Sequence, residues 1–135
     1  MRFFVDSNII ISAVLFPQGK VASVFSYIIE KHDVIISSYS ISECERVFDK
    51  KFPNNKEYLK QFFDSLDFEL YETPNNIKQE KYPKIRDSKD LPILVSAILS
   101  DADILLTGDK DFSGINMAKP LIFTPNYYFD LIDIF

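Results

Sequence analysis

Short apolar runs alternate with longer stretches of helical spacing along this chain. Arg2–Val5, Val34–Ser37, Phe68–Tyr71, Asp103–Thr107 and Pro120–Thr124 are brief, rich in β-branched or aromatic residues, and read as buried strands. Between them, Val21, Val24, Phe25 and Ile28 share one helical face. So do Leu59, Phe62, Phe63 and Leu66, and again Ile93, Leu94, Ala97 and Ile98. Loops are marked by Phe16-Pro17-Gln18-Gly19, Pro53-Asn54-Asn55, Thr73-Pro74-Asn75-Asn76 and Ser113-Gly114, and Tyr82-Pro83-Lys84 interrupts any helix before Asp87. Strands alternating with helices predict an α/β fold. We expect a central, mostly parallel sheet of about five strands with helices on both faces. The length of 135 residues predicts one domain spanning residues 1–135.

Composition narrows the chemistry. A single Cys (Cys44) excludes an intrachain disulfide and a cysteine-rich zinc site, and a single His (His32) excludes a His-rich metal site. His32 sits at a helix end, where a positive charge is favourable, and Cys44 reads as a packing residue. Tyr127-Tyr128-Phe129 reads as an edge or dimer contact. With three Gly there is no Gly-rich phosphate loop. No apolar run reaches the roughly 18 residues of a membrane span, and the first residues are too short in apolar side chains for a signal peptide, so a cytoplasmic location without membrane contact is expected. The net charge of −5 argues against holding nucleic acid by bulk charge, although residues 46–89 carry 10 basic groups against 8 acidic ones. Acidic side chains must carry most of any chemistry.

In open α/β sheets, ligands bind beyond the carboxyl ends of the strands. Asp6 closes the first strand. Glu43 lies about one turn into the helix after Val34–Ser37. Asp87 and Asp90 open the helix that runs through Ala97, and Asp109 follows the strand around Ile104-Leu105-Leu106, with Asp111 two residues on. Each also has a plainer explanation. Asp6-Ser7-Asn8 is a helix cap, Ser40-x-x-Glu43 has the form of a capping box, Asp87-x-x-Asp90 is a cap plus a dipole charge with Pro92 in the first turn, and Gly108-Asp109-Lys110-Asp111 is a turn. If these acids converge, two charges about 4 Å apart repel by about 4 kcal/mol at an effective dielectric near 20, so a cation is required to keep them ionised. An all-oxygen set points to Mg²⁺ or Mn²⁺.

The chain resembles the PIN domain, a family of metal-dependent ribonucleases that includes the VapC-like toxins of toxin–antitoxin pairs. The resemblance is carried by Phe3-Phe4-Val5-Asp6-Ser7-Asn8, by Ile36-Ser37 followed by Glu43 and Arg46-Val47-Phe48, and by Asp87-Ser88-Lys89-Asp90-Leu91-Pro92 through Ala97. Its most specific piece is Thr107-Gly108-Asp109-Lys110-Asp111-Phe112, and Ile122-Phe123-Thr124-Pro125 completes it. It implies that Asp6, Glu43, Asp90 and Asp109 are catalytic, with Asp6, Asp90 and Asp109 on the metal and Glu43 and Asp90 helping to deprotonate water. Asn8, Thr107, Asp87 and Asp111 would support them. Asp87 competes with Asp90 for the third position, and Glu45 competes with Glu43. The segment Phe16–Lys20 departs from the better-known toxins. RNA would approach over Arg46, Lys50, Lys51, Lys84, Arg86 and Lys89, and an antitoxin protein and a second copy of the chain are the implied partners. The alternative from another class is a catalytically silent fold that acts through protein partners. Phosphatase and receiver folds fit less well, because position 8 is Asn where the former wants a second Asp and Ser37 or Ser38 stands where the latter wants its phosphorylated Asp.

Overall fold

Five short strands pair in parallel at the centre of the computed structural model, which describes residues 1–132. They are β1 (Arg2–Val5), β2 (Asp33–Ser37), β3 (Glu69–Tyr71), β4 (Ile104–Leu106) and β5 (Leu121–Phe123), in the order β3-β2-β1-β4-β5. The last three residues of the expected domain, 133–135, lie outside the described residues. The α/β class, the strand number and the parallel pairing agree with the pattern of the sequence. β1 matches its apolar run, β2 begins one residue earlier at Asp33, and β3, β4 and β5 are one or two residues shorter than theirs; beside β4, the side chains of Asp103 and Thr107 are engaged in hydrogen bonds.

The period-two alternation of β1 divides the core. Phe3 lies opposite Val34 and Ile104, and these residues, with Val5, Ile36 and Leu106, enter one apolar cluster. Phe4 lies opposite Ile35 and Leu105, and all three enter the other. Helices α1 (Ser7–Leu15), α2 (Lys20–Lys31), α3 (Ser38–Lys51), α4 (Lys56–Ser65) and α6 (Pro125–Ile132) supply buried residues to the first cluster. Of the described α-helices, only α5 (Leu91–Leu99) supplies buried residues to the second, where Phe112 also packs. The sheet is thus covered on both faces, unequally. Tyr128 belongs to the core, edge-on to Phe3, rather than to an edge; Tyr127 beside it is exposed.

Several local expectations change in detail. Helix α3 starts at Ser38 and is capped by Ser37, whose hydroxyl accepts from Ser40 N; the Ser40–Glu43 capping box does not form. Asp87 caps a single 3-10 turn at Ser88–Asp90, and α5 begins one residue later with Pro92 in its first turn. His32 does end α2; burial and the nearby N-terminal ammonium lower its pKa, and its Nε2 lies 3.3 Å from the Tyr128 hydroxyl. Cys44 is buried, and burial pushes its thiol up, as a packing residue requires. No single helix among the described residues is long and apolar enough to cross a membrane.

The chain lays down β1, β2 and β3 outward on one side, then returns to place β4 and β5 on the other side of β1. The order therefore reverses at β1, and the crevice beyond the carboxyl ends of β1 and β4 is where such sheets hold their ligands. Leu105 is fully buried in the smaller cluster. Leu105→Ala is expected to destabilise the protein by about 2–5 kcal/mol in urea denaturation; a loss below about 1 kcal/mol contradicts this account of the second core.

Candidate metal centre

Asp6 leaves β1 with its backbone N–H still bonded to the Leu106 carbonyl at 3.1 Å, so the ends of β1 and β4 are held together at the site. The Asp6 side chain is 2% exposed. Its Oδ1 accepts from Ser7 N at 2.7 Å and thereby caps α1. Its Oδ2 accepts from Thr107 Oγ1 at 2.7 Å and from Asn8 Nδ2 at 3.4 Å. Thr107 Oγ1 in turn accepts from Asp109 N at 3.0 Å. Asn8 Oδ1 accepts from Gly108 N at 3.2 Å, which fixes the turn that carries Asp109. One threonine hydroxyl therefore couples the first acid of the chain to the last. On the other side of Asp6, Ser7 Oγ donates to Glu43 Oε1 and lies 3.3 Å from Asp6 Oδ1.

A second set of carboxylates adjoins the first. Oxygens of Asp87, Asp90 and Asp111 lie within 4.8 Å of one another. Asp90 also faces Asp109: its carboxyl is pushed up to about 7, first by burial, then by the charge of Asp109 and a side-chain hydrogen bond with it, and by the charges of Asp87 and Asp6. Its Oδ2 is shielded from solvent and meets no hydrogen-bond donor among the described residues. Asp6 is likewise raised to about 6 by burial, against the lowering effect of its Thr107 and Ser7 hydrogen bonds; the charge of Glu43 adds to the rise. A shielded carboxylate oxygen without a donor, among further carboxylates, is a vacancy in the hydrogen bonding that a hard cation fits. Asp111 meets Arg86 at 3.8 Å.

Comparison with protein families matches the PIN domain over residues 2–111. The chain belongs to the PIN domain family. Among solved structures it is similar to the crystal structure of VapBC2 from Rickettsia felis bound to a DNA fragment from their promoter. The TM-score is 0.69 at 19% sequence identity, covering 92% of this chain and 98% of that one, a likeness that shows the fold. Comparison with curated proteins gives no match.

Within this PIN fold, the acids expected from the sequence do converge, but not as one shell. The oxygens that lie within 4.8 Å of one another are those of Asp87, Asp90 and Asp111. Both oxygens of Asp6 accept from hydroxyl and amide donors, Asp109 Oδ1 accepts from Asp111 N at 2.8 Å to cap the next turn, and the charges of both act on Asp90. Asp90 is common to both sets. Glu43 faces Asp6 through Ser7, whereas Glu45 opens onto a groove between α3 and α4. Of the basic residues, Arg86 touches the acids directly. Lys89 is bound through its backbone, its N–H to Asp87 and its carbonyl to the Tyr39 hydroxyl. Arg46 lies three residues past Glu43 on α3, near enough to pull the Tyr39 phenol down against burial and the neighbouring acids. Lys50 and Lys51 sit at the far end of α3, and no contact ties Lys84 to the acids.

Two contributors went unread in the sequence, Ser7 and Tyr39. The only signal for Ser7 is a hydroxyl next to a strand-end acid, and that pattern is indistinguishable from a cap. Thr107→Val should remove the link between Asp6 and Asp109, costing about 1–3 kcal/mol in denaturation while raising the Asp6 pKa further; equal stability would show that the hydroxyl does not hold the site.

A pH dependence follows with a definite sign. Asp6 and Asp90 both have folded pKa values above the ordinary 3.8, so the folded protein holds protons that the unfolded chain has released. Without divalent metal, stability should therefore fall as pH rises from about 4 to about 7. Added Mg²⁺ or Mn²⁺ should raise the melting temperature more at pH 7.5 than at pH 5, because the ion takes the place of those protons. Asp90→Asn should flatten the pH trend in thermal scans.

Proposed function

We propose that this PIN-domain protein is a divalent-metal-dependent endoribonuclease and the toxin component of a toxin–antitoxin pair. The observation that carries the reading is Asp90, whose shielded, unpartnered oxygen lies among Asp109, Asp87 and Asp111 at the switch point of the sheet. The family is one of nucleases, and the fold neighbour is a VapBC2 assembly on promoter DNA, which supports a protein partner for this chain as well.

Asp6, Asp90 and Asp109 would hold Mg²⁺ or Mn²⁺, with Asp87 and Asp111 as outer carboxylates. When bound, such an ion supplies a Lewis acid that activates water and neutralises developing phosphate charge. Glu43, whose carboxylate is held toward Asp6 by Ser7, would with Asp90 take the proton of the attacking water. That water adds to phosphorus in line, the bond to the 3′ oxygen breaks, and a 5′-phosphate and a 3′-hydroxyl result. Thr107 and Asn8 keep Asp6 and the Asp109 turn in position. Arg46, Arg86 and Lys89 offer positive charge beside the acids, which an acidic protein needs locally to approach a polyanion; Lys50, Lys51 and Lys84 would extend that path.

A panel of RNAs incubated with Mn²⁺ or Mg²⁺ tests this. Wild type should cleave, chelation should abolish cleavage, and Asp6→Asn and Asp109→Asn should each lower the rate by about 100-fold or more while retaining the wild-type circular dichroism spectrum. Identical products from wild type and both variants would leave the protein a PIN fold that acts by binding alone.

A further inference from the structure

A cavity of about 540 Å³ lies between the first turn of α3 and the segment that follows β3. That volume is within the range of small-molecule sites, about 300–1,000 Å³. Its apolar lining is Tyr39, Pro74, Ile77 and Pro92, and its polar lining includes Ser42 and Asn75. The walls are tied together. Thr73 N donates to Ser38 Oγ at 3.0 Å, Tyr39 N donates to Thr73 Oγ1 at 3.4 Å, and that oxygen meets Ser96 Oγ at 2.9 Å. Among the described residues, the Ser42 hydroxyl and the Asn75 carboxamide have no side-chain partner, and both residues are exposed.

The cavity adjoins the acids. Tyr39 lies one turn before Glu43 on α3, and its hydroxyl donates to the Lys89 carbonyl at 3.3 Å, next to Asp90. Pro92 follows Asp90 by two residues. No cationic side chain lines the cavity, so it is not built for a phosphate. A tyrosine in the wall, beside an exposed amide and hydroxyl that lack side-chain partners, is instead the chemistry that receives a nucleobase.

We propose that this cavity is a base subsite of the RNA substrate. It takes the base of a nucleotide beside the scissile phosphate, stacked on Tyr39 with its polar edge toward Ser42 and Asn75. This rests on the ribonuclease reading above. The subsite gives the reaction a preference for the identity of one nucleotide, which the acidic cluster alone cannot provide.

The test is a binding cycle that needs no cleavage. A fluorescently labelled 12-nucleotide RNA is titrated with the protein, Ca²⁺ replacing Mn²⁺, and anisotropy is read for the intact RNA and for versions with one abasic position each. In wild type, one abasic position should weaken binding about 10-fold or more. In Tyr39→Ala the same position should lose most of that penalty, whereas Tyr39→Phe, which keeps the ring, should keep it. Asn75→Ala, in an exposed segment, should change the relative affinity for the four bases at that position by at least about threefold. Penalties unaffected by Tyr39→Ala, together with an unchanged base preference in Asn75→Ala, would overturn the proposal; so would the absence of any sensitive position, even if a peptide proves to fill the cavity. The two readings separate cleanly. Cleavage of the intact RNA with Mn²⁺ but no coupling to Tyr39 sinks the subsite alone, whereas coupling without cleavage sinks the nuclease reading and with it the subsite's place beside a scissile phosphate, leaving a base-binding cavity only.

Discussion

Mutual repulsion among carboxylates held at one end of a parallel sheet is the constraint around which this molecule is organised. Asp6, Glu43, Asp87, Asp90, Asp109 and Asp111 come from distant parts of the chain. Left to themselves in a low-dielectric crevice, such groups either take up protons or move apart. The fold prevents the second. Asp6 is pinned by three donors, one of them the Thr107 hydroxyl that also holds the Asp109 backbone. Asp109 and Asp87 are each locked by capping the turn that follows them. Burial first, and the neighbouring carboxylates after it, raise the pKa values of Asp6 and Asp90.

The same side chains serve two purposes. Asp6, Asp87 and Asp109 each satisfy a backbone N–H at the start of a helix or turn, which is the ordinary structural use of such residues. The other oxygen of Asp6 is taken by Thr107 and Asn8, while a carboxylate oxygen of Asp87 lies within 4.8 Å of Asp90 and Asp111. Capping and convergence are therefore not rival explanations here, because a residue that caps a turn also stands among the other acids. Glu43 is the exception. It caps nothing, and its position depends on α3 packing against α1, where Ser7 meets it.

Energetically, the acidic crevice is carried by a core that is apolar on both faces of the sheet. Phe3 and Val5 anchor the larger cluster and Phe4 the smaller, so the strand that ends in Asp6 is itself buried from both sides. A rigid strand end is what lets a repulsive site keep its geometry, and sites of this kind are commonly where local stability is given up. Of the basic groups of residues 46–89, Arg86 meets Asp111, Lys89 is bound to Asp87 and Tyr39 through its backbone, and Lys50 and Lys51 lie in the last turn of α3.

The alternation of Phe3, Phe4 and Val5, the helical spacing of Val24, Phe25 and Ile28, and the acids placed just after apolar runs were enough to read the fold class, the sheet, and which carboxylates stand at strand ends. Such features are local, governed by side-chain period and by backbone groups that need partners, and a single sequence displays them. What only the tertiary structure decided is which groups meet. It chose Glu43 over Glu45 through the rotation of α3, grouped Asp87 with Asp90 and Asp111, enlisted Ser7 between Asp6 and Glu43, and brought Tyr39 to the Lys89 carbonyl. Those choices follow from strand order and from how each helix is turned against the sheet, and they are set by packing between residues tens of positions apart, which no local pattern records.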